Sequence, residues 1–372
     1  MRSQLLELRP IFLLLLAQNS ENSGTPTVSG LSYTLSSHFP TASPPAGCDA
    51  RCMTQARSSL IAPGIPGTFH CVQRCVRRAF LCGIDHYSGR SFEHRKDWIE
   101  QRLALLADCF AVAIHAFAVM SNHLHLVVQF DPDVAAGWSD EQVAARWVRL
   151  FPPRGDADTA RTARMAILLA QPERLRLLRQ RLADLSWLMR CLAEPVARAA
   201  NAEDGCKGRF WEGRFKAQVL CDDRAVLAAM AYVDLNPVRA GIATRLEDSH
   251  HTSVKARLDA LRAGELAKPL APIRGLALVA CLPLTLGEYL ELVEWTGKQV
   301  RPDKRGTLAA DAPSVLARFE ARADRWQVRV KAIGSGYWRV VGEVDDLVER
   351  ARQLKQRWLK GVGLAAALAR AD

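Results

Sequence analysis

Two apolar stretches, Ala111–Val119 and His123–Phe130, stand almost end to end with only the short polar break around Ser121-Asn122 between them. So short a break suits a tight reversal and leaves no room for a crossover, so the two are expected to pair as antiparallel neighbours. An alternating stretch from His70 to Val76, entered through the turn-rich sequence PGIPGTFH, predicts one further strand upstream. Between them, Phe92–Phe110 places Trp98, Ile99, Leu103, Leu106 and Phe110 at the spacing of an amphipathic helix. The order strand, helix, strand, strand predicts an α+β domain: a small antiparallel sheet with helices packed on one face.

After Asp131-Pro132 the periodicity becomes helical, over Asp140–Leu150, Asp158–Leu169 and Glu173–Ala202. A break is expected at Pro195, because proline lacks a backbone donor and clashes with the preceding turn. Residues 133–205 therefore read as a helical insertion separating two halves of one domain, 58–132 and 206–250. The second half carries a helix over Ala225–Leu235, introduced by Asp222-Asp223 and stopped by Asn236-Pro237. Residues 251–372 read as a helical C-terminal region that ends in the amphipathic stretch Val344–Leu359 and shows no chemistry.

The segment from Ser20 to Gly47 is rich in Ser, Thr, Pro and Gly and nearly uncharged, so residues 1–57 are expected to form a disordered extension. Within it the apolar run Ile11–Ala17 follows Arg2 and Arg9 in the manner of a secretory leader, but Glu7 and the lack of a small-residue cleavage site argue against that reading. The run is also too short to span a bilayer.

Nearly half of the 372 residues are hydrophobic, enough for a sizeable core, and 50 Lys and Arg against 39 Asp and Glu leave a net charge of +11. That excess favours a polyanionic partner. The ten cysteines form no paired CxxC units, and the spacing of Cys71, Cys75 and Cys82 fits no common zinc pattern. Buried thiols in a reducing cytoplasm are the expectation.

Three motifs carry the candidate chemistry. In an extended strand, residues two apart share a face, so His123 and His125 of His123-Leu124-His125 can reach one ion. Two neutral imidazoles with a further oxygen donor can hold Mg²⁺ or Mn²⁺ and leave positions open for a phosphate oxygen. On the helix that follows, Tyr232 and Asn236 fall one turn apart, with Arg239 just beyond. Between the two, Gly205–Val219 interleaves Lys207, Arg209, Arg214 and Lys216 with Phe210, Trp211 and Phe215. Such a segment can meet phosphates with its cations and bases with its rings, or it can bury the rings and leave the charges in water.

Taken together, His123-Leu124-His125, Gly208-Arg209-Phe210-Trp211-Glu212-Gly213-Arg214-Phe215-Lys216 and Tyr232-Val233-Asp234-Leu235-Asn236-Pro237-Val238-Arg239-Ala240-Gly241 resemble the single-tyrosine (HUH) transposases of the IS200-like superfamily, and among them the REP-associated tyrosine transposases. The resemblance spans about residues 60–250, interrupted by the insertion. It implies a ferredoxin-like antiparallel sheet with the histidine pair on a central strand and the tyrosine on a facing helix. It implies His123, His125 and Asn236 as ligands of Mg²⁺ or Mn²⁺, and Tyr232 as the nucleophile that cleaves single-stranded, hairpin-forming DNA. Arg74, Arg77, Arg78, Lys207, Arg209, Arg214, Lys216 and Arg239 are the candidate DNA contacts. No membrane partner is expected. The insertion and the C-terminal region are open to three roles: recognition of DNA ends, self-association as a homodimer, or packing against the core. Two other functional readings stand beside strand transfer, a DNA-binding regulator that does not cleave and a metal-dependent hydrolase that uses water.

Overall fold

The expected antiparallel pair forms, and its second strand lies at the centre of the sheet. In the structure, a computed structural model that describes residues 64–76, 81–85, 89–154, 157–276, 282–300, 312–335 and 339–369, the chain runs β1 (Gly67–Arg74), α1 (His94–Cys109), β2 (Val112–Val119) and β3 (His123–Phe130). The extension read over 1–57, together with Arg77, Arg78, Cys48, Cys52 and Cys281, lies outside the described residues. β3 is antiparallel to both neighbours, with Val119 opposite Leu124 on one side and Arg74 opposite His123 on the other. β4 (Lys216–Leu220) pairs antiparallel with the free side of β1, His70 facing Gln218. The order β2-β3-β1-β4 is the ferredoxin-like arrangement expected.

Two short strands lengthen this core into a six-stranded mixed sheet, and both come from the C-terminal region. β5 (Arg274–Gly275) pairs antiparallel with β2, and β6 (Val340–Val341) pairs parallel with β4. Only glycine fits at position 275, which has φ +94° and where a Cβ would fall 2.1 Å from the Val112 carbonyl oxygen.

Helices cover both faces of the sheet, where one covered face was expected. After the short α2 (Pro132–Ala136), the insertion helices α3 (Asp140–Leu150), α4 (Ala157–Leu169), α5 (Pro172–Leu182) and α6 (Leu185–Glu203) share with α1 a core that includes Phe69, Cys71, Leu124, Leu126 and Val128. On the opposite face, α7 (Asp223–Asp234) packs over Ala116, Ala118 and Val127. Behind it come α8 (Asn236–Arg239), α9 (Ser253–Arg262), α10 (Leu286–Val300), α11 (Val315–Arg318), α12 (Ala323–Ser335), α13 (Val344–Gln353) and α14 (Val362–Ala369). β2 is buried along its whole length, as its nearly continuous apolar sequence requires of a strand covered on both sides. A bulge at His115 shifts its register and exchanges the faces of the residues on either side.

Pro195 does not break its helix; the break falls at Ala183-Asp184. The Asp184 side chain accepts from the Trp187 amide at 2.8 Å and caps α6, which then runs through Pro195. The proline deprives the Cys191 carbonyl of its helical donor, and Arg102 Nε of α1 supplies the missing hydrogen bond at 2.8 Å.

The described cysteines are free thiols, and Cys71, Cys75, Cys82, Cys109 and Cys191 are buried. Burial pushes the Cys82 thiol up to about 12 and Cys109 up to about 11, so both stay protonated and unreactive. Among the described residues no helix is long and apolar enough to cross a membrane.

Candidate active site

Strand alternation gathers imidazoles beneath α7. His70 of β1 and His123 and His125 of β3 all project to the face that α7 covers, the face opposite Phe69, Leu124 and Leu126. The His70 and His125 rings stack at 5.2 Å with 6° between their planes, and the His123 ring meets His125 at 4.7 Å. Tyr232 descends from α7 edge-on to this group, 5.9 Å from His70 and 5.8 Å from His125 between ring centroids. The structure therefore brings together the three residues that sequence motifs had marked more than a hundred positions apart, and adds His70.

The hydrogen bonding of the three imidazoles is uneven. His70 Nε2 and His125 Nδ1 lie 2.9 Å apart, and His70 Nδ1 lies 2.7 Å from Gln218 Oε1. His123 Nδ1 is 2.5 Å from Asn122 Oδ1. His125 Nε2 is buried with no partner among the described residues. A buried ring nitrogen without a hydrogen bond is costly unless something outside the chain satisfies it, as a water or a metal ion can.

Burial holds all three imidazoles in the neutral form. Burial holds His70 down to about 4, although the bond to Gln218 pulls it up. Burial, and beside it the Arg74 cation, holds His123 down to about 4. His125 is pushed well below the ordinary histidine value, first by burial and then by its neighbours His70, His123, Arg74 and Arg239. All three rings are thus neutral at pH 7, which leaves one ring nitrogen of each unprotonated. Among the described residues no three His, Cys, Asp or Glu side chains form a metal-holding group, so an ion here would need donors of another type besides the His123 and His125 imidazoles. The Asn236 amide oxygen is of that type.

α7 is fixed at both ends. Asp222 caps its start, accepting from the Ala225 amide at 2.7 Å. Buried Ala225, Ala228, Ala229 and Ala231 let the helix lie close against the sheet. At its end, Asp234 is fully buried and bound by Arg257 Nη1 at 3.0 Å, by Tyr289 Oη at 2.6 Å and by the Ser253 hydroxyl. This aspartate, two residues after the tyrosine, is an anchor to α9 and α10 that the sequence reading did not single out. A charged residue inside an otherwise apolar helix was the available signal.

α7 stops just before Asn236-Pro237, as expected, but the chain does not turn away there. α7 ends at Asp234, but Leu235 keeps a helical-side backbone (φ −86°, ψ −6°) and α8 resumes at once with Pro237 in its first turn, where no amide donor is needed. Tyr232, half-buried Asn236 and Arg239 thus follow one another along nearly one face, and the Arg239 guanidinium lies 4.7 Å from the centre of the Tyr232 ring.

A residue from the C-terminal region limits where the tyrosine can sit. α12 packs along α7, and a Cβ at Gly334 would fall 2.7 Å from Tyr232 Oη and 3.1 Å from Cζ. Gly334→Ala should therefore move the hydroxyl while leaving the fold intact. We expect a loss on the order of 100-fold in any reaction of that hydroxyl, read as covalent adduct formed, with the thermal midpoint unchanged.

The basic candidates divide. Arg74 is exposed at the end of β1, directly across from His123, and Lys216 pairs with Val72 on the same face as the histidines. With Arg239 they surround the site. Lys207, Arg209 and Arg214 are exposed on the segment that leads into β4. Part of that segment runs beside the end of β1, the Glu212 amide bonding to the Arg74 carbonyl at 2.9 Å and Cys75 bridging to Trp211. Its aromatic rings are not base platforms. Phe210 and Phe215 are buried, and half-buried Trp211 donates its Nε1–H to the Ala193 carbonyl at 2.8 Å. Of the two readings open for this segment, buried rings with solvated charges is the one observed.

His70 and Gln218 escaped the sequence reading because their place beside His125 follows from strand register over long separations, 55 residues from His70 to His125 and 148 from His70 to Gln218.

No protein-family model matches the sequence, and no curated protein matches it. A solved structure, described as that of a REP-associated tyrosine transposase bound to a REP hairpin, is similar over 63% of this chain and 97% of its own, with 15% identity and a TM-score of 0.34.

Proposed function

We propose that the protein cleaves and rejoins single-stranded DNA, with Tyr232 as nucleophile, at hairpins or palindromic repeats. The observation that supports this best is a phenol held edge-on to a pair of neutral imidazoles, one of which presents a buried nitrogen that nothing among the described residues satisfies. A water-using hydrolase would account for the histidines and leave Tyr232 and Arg239 without a task.

His123, His125 and Asn236 would hold a divalent ion, Mg²⁺ or Mn²⁺, which when bound polarises a phosphate oxygen and spreads the charge of the crowded transition state. Tyr232 Oη attacks the phosphorus and loses its proton as it does so, since a phenol with a pKa of about 10 is a poor nucleophile at neutral pH. The bond between phosphorus and the 3′ oxygen breaks, leaving a 5′-phosphotyrosine and a free 3′-hydroxyl. A 3′-hydroxyl that later attacks the phosphotyrosine restores the tyrosine and seals a strand, with no nucleotide consumed. Arg239, stacked on the ring, stands where it meets the charge that develops on the phenol oxygen and phosphate. Arg74 and Lys216 flank the same face and would follow the DNA backbone.

A second reading keeps the DNA-binding surface and drops the cleavage. The contact between α12 and the Tyr232 hydroxyl favours it, because the nucleophile is crowded from the C-terminal side.

The test is incubation of the full chain with labelled single-stranded DNA carrying hairpins from the flanks of its own gene, with Mn²⁺ or with EDTA. An adduct that survives denaturation and requires the metal is the expected result. Tight binding that is independent of metal and gives no adduct would replace strand transfer with the regulator.

A further inference from the structure

Four groups run in a line from α12 to the unpartnered nitrogen of His125. The Ile333 carbonyl lies 3.2 Å from Gln218 Nε2, Gln218 Oε1 lies 2.7 Å from His70 Nδ1, and His70 Nε2 lies 2.9 Å from His125 Nδ1. We propose that Gln218 and His70 are positioning residues, which with the Ile333 carbonyl fix His125 in the tautomer whose Nε2 lone pair is free for a ligand ion. The proposal rests on the reading that His125 is a metal ligand and extends it to residues outside the ligand set.

The direction of the relay follows from what each group can do. A backbone carbonyl only accepts, so the Gln218 amide must turn its NH₂ to Ile333 and its oxygen to His70. Gln218 Oε1 in turn only accepts, so His70 carries its proton on Nδ1. A neutral imidazole has one proton, so His70 Nε2 is an acceptor and His125 Nδ1 must donate to it. His125 Nε2 is then bare. The reverse assignment would set the Gln218 oxygen against the Ile333 oxygen. His123 reaches the same tautomer independently, donating Nδ1–H to the Asn122 side-chain oxygen. Both candidate ligands therefore present Nε2.

The relay begins in the C-terminal region and crosses β4 and β1 before it reaches β3. Residues 323–335 thus act on the histidines through one carbonyl, a role that their own side chains do not announce. In metal sites the partner of the second ring nitrogen sets ring orientation and ligand basicity, and its removal weakens binding by about 10–100-fold.

The test uses the full chain, metal-free and labelled with ¹⁵N-histidine, at pH 7. Long-range proton–nitrogen correlations should find the proton of His70, His123 and His125 on Nδ1. Gln218→Met removes the acceptor at similar volume; His125 should then take up the Nε2–H form, with Mn²⁺ affinity by calorimetry lower by about 10–100-fold. An Nε2 proton on His125 in the wild type would overturn the relay, and so would unchanged Mn²⁺ affinity in Gln218→Met. Neither readout depends on DNA cleavage, so a protein that binds metal but forms no adduct would refute strand transfer and leave the relay standing.

Discussion

Tyr232→Phe should abolish the covalent protein–DNA adduct, by about 10⁴-fold or more, since loss of a nucleophile cannot be compensated by the groups that surround it. The substitution removes one oxygen and little else. The phenyl ring would still meet His70 and His125 edge-on and still lie under Arg239. Metal affinity and DNA retention should therefore stay near wild type, which makes this variant the sharpest separator of mechanisms. An enzyme that uses water would keep most of its cleavage in the variant. A denaturing gel of labelled DNA, run beside a binding assay on the same preparation, reads both quantities.

Asp234→Ala should be the most destabilising single change within the tyrosine helix, by about 3–5 kcal/mol in urea unfolding. Arg257 and Asp234 are both buried, and the arginine also donates to the His115 carbonyl at 2.5 Å. Burial pushes the Asp234 carboxyl up, and Arg257, Ser253 and Tyr289 oppose that push. Without the carboxylate, the guanidinium stays in an apolar setting with its charge uncompensated, and the Tyr289 and Ser253 hydroxyls lose their acceptor. Adduct formation should fall in the same variant, because the anchor holds the end of α7 from which Tyr232 projects. A loss of less than about 1 kcal/mol would show that the network is replaceable by water.

The two variants expose different layers of the site. Tyr232 was legible in the sequence because helix periodicity sets it one turn from Asn236, and local spacing is all that such an argument needs. Asp234 is adjacent in sequence but acquires its role from Arg257 and Tyr289, 23 and 55 residues away. Gly334 is the extreme case, an ordinary helical glycine until α12 is laid against α7.

Where pattern was strong, expectation and structure agree to within a few residues. β3 runs from His123 to Phe130 as read, and α3 from Asp140 to Leu150. Where a local rule was applied without its surroundings, it failed. Pro195 is tolerated because Arg102 satisfies the carbonyl that it frees. β5 and β6 were out of reach for a different reason: two residues each are too few to show a period of two, and their pairing is set wholly by the strands they join.

The sequence alone determined the succession strand, helix, strand, strand, the shared face of His123 and His125, and the helical spacing of Tyr232, Asn236 and Arg239. Each of these follows from periods of 2.0 and 3.6 residues that the chain carries locally. The tertiary structure decided which nitrogen of His125 is left without a partner, that His70 and Gln218 stand behind it, and how closely α12 approaches the tyrosine. Those depend on strand register and helix packing between segments far apart in the chain, whose energies no local window of sequence contains.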